Sequence, residues 1–209
     1  MNKNIDKIID YFEQKYGTEP ICFLDYTTDF ELLFATMLSA QCTDDRVNMV
    51  TKTLFKKYKT LEDYANADIK DLENTINSIS FYKNKAKYIK ESAKLILKNN
   101  STLPNSMEEL TKLPGVGRKT ANLIMAHIFQ TPSVIVDTHV ARISNRLNLT
   151  TNSNPDKIEK DLKKILPVNK YSAFNHQAIS FGREICNARN PKCSICKLKK
   201  YCSYKNKKC

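Results

Sequence analysis

Apolar residues recur along most of this chain at intervals of three and four positions, the spacing that places them on one face of an α-helix. The clearest stripes are Ile5, Ile8, Ile9 and Phe12; Ile69, Leu72, Ile76 and Ile79; and Ala86, Ile89, Ala93 and Leu97. No convincing run alternates between apolar and polar residues, and no segment repeats at a fixed period. The pattern predicts an all-α fold with short loops.

Capping residues indicate where several of these helices begin. Asp29 and Thr43 each precede an apolar stripe and are expected to accept a hydrogen bond from the first helical turn. Ser106 opens a capping-box pattern, and Asn154 stands before a proline at the first helical position. These residues predict helix starts that divide the chain into short helices.

The chain carries a strong excess of positive charge. It has 34 Lys and Arg against 22 Asp and Glu in 209 residues, a net charge of +12. Such a protein attracts polyanions, nucleic acid first among them, although a lysine-rich soluble surface gives the same sum. No apolar run approaches the ~18 residues of a membrane helix, and the N-terminus lacks the apolar core of a secretory signal. We therefore expect no membrane partner and a cytoplasmic, nucleoid-associated protein.

Two of the four glycines lie in the segment Leu113-Pro114-Gly115-Val116-Gly117. They predict a tight turn between a short helix (107–112) and a longer one (about 117–130). Amide groups of such a turn can hold a phosphate, so a helix-hairpin-helix could bind a DNA backbone without reading bases. An ordinary turn between helices explains the same residues.

Lys119 stands two residues after this turn, and Asp137 follows the apolar run Val134-Ile135-Val136. The positive end of a helix dipole disfavours a charged amine, and a neutral amine is a nucleophile suited to Schiff-base chemistry. Asp137 is expected to cap the next helix. For both residues a plain role remains open: a phosphate-contacting or exposed lysine, and a capping aspartate.

Four cysteines near the C-terminus follow the spacing C-x6-C-x2-C-x5-C. They are Cys186, Cys193, Cys196 and Cys202. Four thiolates can surround a tetrahedral zinc ion or an iron–sulphur cluster. Zinc sites usually pair two C-x2-C knuckles or add histidine, whereas a single C-x2-C with longer arms favours a cubane. A disulfide role is disfavoured by the expected compartment, and Cys22, Cys42 and Cys209 are not expected to bind metal.

Together these segments resemble the endonuclease III family of helix-hairpin-helix DNA glycosylases. The matching segments follow the family's order and intervals, and they are 38–44, 113–122, 136–140 and 186–193 with the two cysteines after it. The resemblance implies an all-α, two-domain fold. A six-helix domain (22–132) would contain the helix-hairpin-helix (about 107–130). Residues 1–21 and 133–209 would form the domain with the C-terminal four-cysteine [4Fe–4S] cluster loop.

The resemblance also implies roles for individual residues. Lys119 would be the nucleophile, Asp137 the catalytic carboxylate, and the four cysteines the cluster ligands. The residues implied to contact DNA are Gln41, which fills the gap left by an extruded nucleotide; Phe81, the intercalating wedge; the turn residues Gly115, Val116 and Gly117; and the cluster-loop residues Arg189 and Lys192. The family commonly has glycine before an aliphatic wedge, where this chain has Ser80 and Phe81. Core packing stays an alternative for Phe81, and a polar helix end for Gln41.

The implied activity is that of a bifunctional DNA glycosylase/AP lyase of base excision repair. As a monomer it would remove oxidised pyrimidines from double-stranded DNA and nick 3′ to abasic sites by β-elimination through a lysine Schiff base. Three alternatives remain: an adenine glycosylase, a thymine-mismatch glycosylase, and a non-catalytic DNA-binding protein with a redox-sensing cluster. The first two normally lack the lysine, and the third needs neither Lys119 nor Asp137.

Overall fold

The structure is a computed structural model that describes residues 4–204. Every regular element within that range is helical, which confirms the all-α prediction. The chain divides into two compact units. One is Cys22–Thr131, and the other joins the residues up to Ile21 with those from Pro132 onward. Among the described residues, no helix has the length and apolar character needed to cross a membrane.

The unit Cys22–Thr131 has seven helices around one apolar core. They are α2 (Asp29–Ser39), α3 (Asp44–Lys57), α4 (Leu61–Asn66), α5 (Ile69–Thr75), α6 (Tyr82–Lys98), α7 (Met107–Leu110) and α8 (Arg118–His127). The resemblance implied six. The side chain of Asp68 caps α5 separately from α4, so this stretch contains two short helices.

The second unit has four α-helices and two short 3₁₀ segments within the described residues. They are α1 (Ile5–Tyr16), α9 (Thr138–Arg146), α10 (Pro155–Ile165), α11 (Tyr171–Glu184) and the 3₁₀ segments Val168–Lys170 and Lys199–Tyr201. Phe12 of α1 packs against Phe174 and Phe181 of α11, with ring centroids 5.8 and 5.4 Å away. This aromatic contact joins the N-terminal helix to the C-terminal part of the chain.

The helix starts agree with the predicted caps except at α2. Thr43 and Asn154 cap α3 and α10 as predicted. The cap of α2 is Thr28 rather than Asp29. The Thr28 hydroxyl accepts from the Glu31 amide at 3.3 Å, and the Glu31 carboxylate accepts from the Thr28 amide at 3.0 Å. This capping box satisfies two amide donors at once, so it places the start one residue earlier.

His176 is a buried neutral histidine in α11. Its Nε2 lies 3.1 Å from the Tyr16 carbonyl oxygen and therefore donates to it, while the buried Nδ1 has no partner among residues 4–204. Next to it, Gln177 donates to the Gly17 carbonyl at 2.6 Å. Desolvation lowers the pKa of His176, against a smaller opposite effect of the bond to Tyr16. Protonation would place an unpaired N–H donor in the core.

Acidification is expected to destabilise the protein through His176. Its pKa is lower in the folded state than the unfolded value of about 6.5, so the unfolded chain takes up the proton first. The free energy of unfolding should therefore fall as the pH drops through about 6.5 and level off below the folded pKa. Urea titrations between about pH 7 and 5 measure this slope. His176→Gln should flatten it, and an equally steep slope in that variant would contradict the assignment.

Candidate functional site

The glycine turn lies between two helices that are shorter than predicted. α7 ends at Leu110 instead of residue 112, and α8 spans Arg118–His127 instead of about 117–130. After Leu110 the backbone hydrogen bonds span three residues, as in a 3₁₀ helix, and the Leu113 amide donates to the Leu110 carbonyl at 3.1 Å. The helix-hairpin-helix is therefore present, with a longer connection between its two helices (111–117) than the sequence indicates.

Gly115 is required by both its backbone and its neighbour. Its φ is +76°, a left-handed conformation that favours glycine, and an added Cβ would lie 2.6 Å from the Tyr88 ring. Tyr88 belongs to α6, as does Ser92, whose hydroxyl donates to the Pro114 carbonyl at 3.2 Å. The turn is thus packed onto α6 and held in one form.

The backbone amides of Gly115, Val116 and Gly117 differ in whether they are already hydrogen-bonded. The Val116 amide donates to the Leu113 carbonyl at 3.1 Å, and the Val116 side chain is buried. No hydrogen bond from the Gly115 or Gly117 amide is found within the described residues. Gly117 also precedes α8 without a side-chain cap. The two glycines can therefore donate amides to a phosphate, whereas Val116 already uses its amide inside the turn.

Replacing Gly115 by alanine is expected to reduce the free energy of unfolding by about 2–4 kcal/mol, from left-handed strain and the Tyr88 clash together. Gly117→Ala is the matched control, since Gly117 has a negative φ and open space around its Cβ position. It should cost about 1 kcal/mol or less as an N-cap change. Urea denaturation compares the two variants, and equal losses would show that the turn is not held as described.

Lys119 is the second residue of α8. Its side chain is exposed and makes no ion pair or hydrogen bond within the unit Cys22–Thr131. The first turn of α8 has no acidic residue, and Arg118 stands beside Lys119. The positive end of the helix and these two cations attract a polyanion, and the Lys119 amine is accessible to it.

Asp137 caps α9, as predicted, because its Oδ1 accepts from the Val140 amide at 2.7 Å. The chain before it is pinned by Asn175 of α11, which accepts from the Ile135 amide at 2.9 Å and donates to the Ser133 carbonyl at 3.1 Å. No hydrogen bond to Asp137 Oδ2 is found within its unit. The half-buried carboxylate is thus oriented through one oxygen, and the other remains available to a cationic group.

Gln41 and Phe81 share an unusual backbone conformation. Both have positive φ, 57° and 58°, and both side chains are exposed, that of Phe81 by 62%. Core packing of Phe81, the alternative left open by the sequence, is therefore wrong. A left-handed non-glycine residue costs about 1–2 kcal/mol, and such strain concentrates at functional sites.

Cys186, Cys193, Cys196 and Cys202 all line one open pocket. Within residues 4–204 no disulfide joins them, and no group of three or more His, Cys, Asp or Glu is arranged around a single ion position. Burial raises the pKa of the Cys196 thiol, and the other three cysteines add to this effect. The pocket therefore gathers four sulphur donors.

Arg146, at the end of α9, holds the chain around the first of these cysteines. Its Nη1 donates to the Asn187 carbonyl at 2.8 Å and to Cys186 Sγ at 3.2 Å, and its Nη2 donates to the Ala188 carbonyl at 2.9 Å. Its guanidinium also stacks 4.0 Å from the Tyr204 ring centroid. The sequence gives no sign of this role for Arg146, because no spacing connects it to a loop forty residues later.

Arg189 and Lys192 are both exposed on the loop between Cys186 and Cys193. The Lys192 amide donates to the Ile185 carbonyl at 2.8 Å, which closes this loop onto the end of α11. The loop thus presents two cations to solvent beside the pocket.

Comparison with known proteins places these features in context. Residues 34–168 match the model of the HhH-GPD superfamily of base excision DNA repair proteins. The chain is similar to endonuclease III of Rickettsia felis, with 42% identity over 97% of this chain and 95% of the relative. It is also similar to endonuclease III of a Synechocystis species, with 46% identity over 87% and 84%.

Solved structures of DNA-repair enzymes are also similar to this chain. The chain is similar to a trapped endonuclease III–DNA covalent intermediate, with a TM-score of 0.91, 41% identity and coverage of 97% of this chain and 96% of the other. A thermostable thymine-DNA glycosylase, 24% identical with a TM-score of 0.82, shares the fold.

Proposed function

Because this chain belongs to the endonuclease III family of the HhH-GPD superfamily, we propose a residue-level mechanism for its reaction. The chain is a base excision repair enzyme, a DNA glycosylase with AP lyase activity, and its partner is DNA. We propose oxidised pyrimidines in duplex DNA as the substrate class, and the nucleoid as the place of action.

The observation that carries the mechanism is the accessible amine of Lys119 at the start of α8. Its neutral nitrogen forms a bond to the C1′ carbon of the damaged nucleotide, the glycosidic bond breaks with its electron pair leaving on the base, and the base takes up the proton that the nitrogen loses. The C1′–O4′ bond then breaks, O4′ takes up a proton, and the opened adduct is a Schiff base. Loss of a proton from C2′ then breaks the C3′–O bond, which nicks the strand by β-elimination.

The amides of Gly115 and Gly117 support this role, because they can donate to a DNA phosphate next to Lys119. Such a contact fixes the sugar–phosphate backbone without selecting a base sequence. Arg189 and Lys192 add two exposed cations for further phosphate contacts. Since these contacts are ionic, DNA affinity is expected to fall with rising salt.

Asp137 is proposed as the carboxylate that stabilises the positive charge growing on the sugar. Its Oδ1 is held by the Val140 amide, and this bond fixes the direction of the carboxyl group. The other oxygen is then available to the sugar or to a proton in transfer. The same residue thus combines the capping role and the catalytic role that the sequence left as alternatives.

Gln41 and Phe81 are proposed to replace the extruded nucleotide in the duplex. The chemistry at C1′ requires the base to leave the stack, and an inserted side chain offsets part of the lost stacking. Both side chains are exposed, and both residues have a positive φ. The aromatic ring of Phe81 is suited to unstacking a base step.

We propose that Cys186, Cys193, Cys196 and Cys202 hold a [4Fe–4S] cluster. The fit rests on the donor set, since the four thiols share one pocket and none is in a disulfide within the described residues. When bound, the cluster supplies a rigid anchor for the loop. Arg146 donates to the Asn187 and Ala188 carbonyls and to the sulphur of Cys186, which positions this cysteine.

Cysteine replacement is expected to separate ligands from bystanders. Wild-type protein purified without oxygen should contain about four iron atoms per chain. Cys202→Ala should lose most of this iron, because three thiolates cannot complete the ligand set. Cys22→Ala is the matched control. Because Cys22 lies outside the pocket, this variant should retain all of its iron. Colorimetric iron and sulphide assays measure the result, and full iron in Cys202→Ala would contradict the assignment.

The experiment that tests the proposed function is a covalent trap. Purified protein is incubated with duplex DNA containing one oxidised pyrimidine in the presence of borohydride, which reduces a Schiff base to a stable cross-link. A protein–DNA adduct with a nicked strand in parallel reactions is expected. Base release without an adduct would instead indicate a lysine-independent glycosylase. Tight binding without base release would indicate that this lesion class is not the substrate.

A further inference from the structure

Lys85 is a buried lysine whose charge is held by backbone oxygens. It lies in the first turns of α6 with 7% of its surface exposed, and its Nζ donates to the Leu38 carbonyl at 2.8 Å and the Ala40 carbonyl at 2.6 Å. No carboxylate pairs with it within the described residues. Burial lowers its pKa, and the negative end of the α2 dipole favours its charged form.

One of these bonds is made to the turn that carries Gln41. Ala40 has φ −59° and ψ 114°, Gln41 has φ 57°, and the Cys42 amide donates to the Ser39 carbonyl at 3.0 Å. These values describe a type II turn, whose third residue is usually glycine or asparagine because its φ is positive. A type I turn would place Gln41 at a negative φ and remove the strain.

The type I and type II forms differ by a flip of the peptide between Ala40 and Gln41. The oxygen of that peptide is the Ala40 carbonyl oxygen, to which Lys85 donates. A flip would turn this oxygen away from the ammonium and leave a buried charge with one acceptor fewer, which is costly. The ammonium therefore favours the form in which Gln41 is left-handed.

The same lysine is coupled to Phe81, the other residue with a positive φ that is proposed to enter the duplex. Phe81 is the N-cap of α6, and its carbonyl accepts from the Lys85 amide at 3.1 Å. Lys85 therefore lies one helical turn from Phe81 and holds the Gln41 turn with its side chain. Its two sets of hydrogen bonds set the position of the Gln41 turn relative to the start of α6.

We propose that Lys85 is a positioning residue for base extrusion, which locks the 39–42 turn so that Gln41 is presented together with Phe81. This inference rests on the proposed roles of those two side chains. Lys90 offers a matched comparison on the same helix. Its Nζ donates to the Ala67 carbonyl at 2.5 Å, so it makes the same kind of bond to a different loop.

The first experiment measures the backbone preference at position 41 without any catalytic readout. Gln41→Gly and Gln41→Ala are compared by urea midpoint in the wild-type, Lys85→Met and Lys90→Met backgrounds. With Lys85 present, the Gln41→Gly variant should be the more stable of the two, because glycine accepts a positive φ. In the Lys85→Met background the Gln41→Ala variant should be the more stable, because a turn with a negative φ at position 41 favours alanine. In Lys90→Met it should remain as in the wild type, and an order unchanged in Lys85→Met would overturn the proposal.

The second experiment compares base release from one lesion placed in a fully paired duplex and in an unpaired bubble. Lys85→Met should lower the single-turnover rate on the paired substrate about tenfold and the bubble rate by less than about twofold, since the bubble needs no extrusion. Lys90→Met should leave the ratio of the two rates unchanged. Equal losses on both substrates in Lys85→Met would overturn the positioning role.

Gln41→Ala separates this inference from the proposed function. If its own ratio of paired to bubble rates equals that of the wild type, the gap-filling role of Gln41 has failed. A reversed stability order would then still show that Lys85 holds the turn. Lys85→Leu replaces Lys85→Met in both experiments if the methionine variant does not fold, because leucine also lacks a donor for the Ala40 carbonyl.

Discussion

Replacing Lys119 by alanine is expected to lower base release from an oxidised pyrimidine by about a thousandfold or more, as removal of a catalytic nucleophile does. The borohydride-trapped adduct should disappear as well, because no amine remains to form the Schiff base. Stability should change little, since the Lys119 side chain is exposed. Single-turnover rates and trapping on the same duplex measure both effects.

Lys112 provides the control for lost charge. It lies in the same helix-hairpin-helix, its side chain is 61% exposed, and its Nζ is 2.5 Å from a Glu109 carboxylate oxygen. Lys112→Ala removes one positive charge from the same region and should leave the rate within about twofold of the wild type. A Lys119→Gln variant with full glycosylase activity would show that the nucleophile is a different group.

The Asp137→Asn variant is expected to lose about a hundredfold or more in the rate of base release while its unfolding free energy stays within about 0.5 kcal/mol of the wild type. Asparagine accepts the hydrogen bond of the Val140 amide as aspartate does, so the cap of α9 is preserved. Only the negative charge is removed. Quenched time courses measure the rate of base release, and urea denaturation measures the free energy of unfolding.

Asp137→Ala tests the cap by itself, because alanine removes both the charge and the acceptor. We expect a further loss of about 1 kcal/mol in unfolding free energy relative to Asp137→Asn, with a similar loss of activity. If Asp137→Asn were as active as the wild type, Asp137 would be a structural cap and the charge on the sugar would be stabilised by another group.

The helices and most of their starts could be predicted from the sequence because they depend on neighbouring residues. The spacing of a stripe such as Ile5, Ile8, Ile9 and Phe12 is enough to place these residues on one face of a helix. The caps at Thr43 and Asn154 act over two or three residues, and so does the glycine turn before Lys119. The cap of α2 is also local, since the capping box of Thr28 and Glu31 spans three residues and places the helix start before Asp29.

Features that depend on distant parts of the chain could not be predicted. Lys85 reads as one more surface lysine in a basic helix, and only the packing of α6 against the end of α2 makes it a buried donor to Leu38 and Ala40. Asn175 and Arg146 likewise bind backbone groups about forty residues away. Their partners are brought close by the fold, and no interval in the sequence records that proximity.

Four features follow from local patterns in the sequence: the helical class, the glycine turn with Lys119 behind it, the cap at Asp137 and the spacing of the four cysteines. Folding brings the four thiols to one pocket and leaves Phe81 exposed. It also gives Gln41 and Phe81 a positive φ. A positive φ in a residue other than glycine is maintained by surrounding contacts, which exist only after the chain has folded.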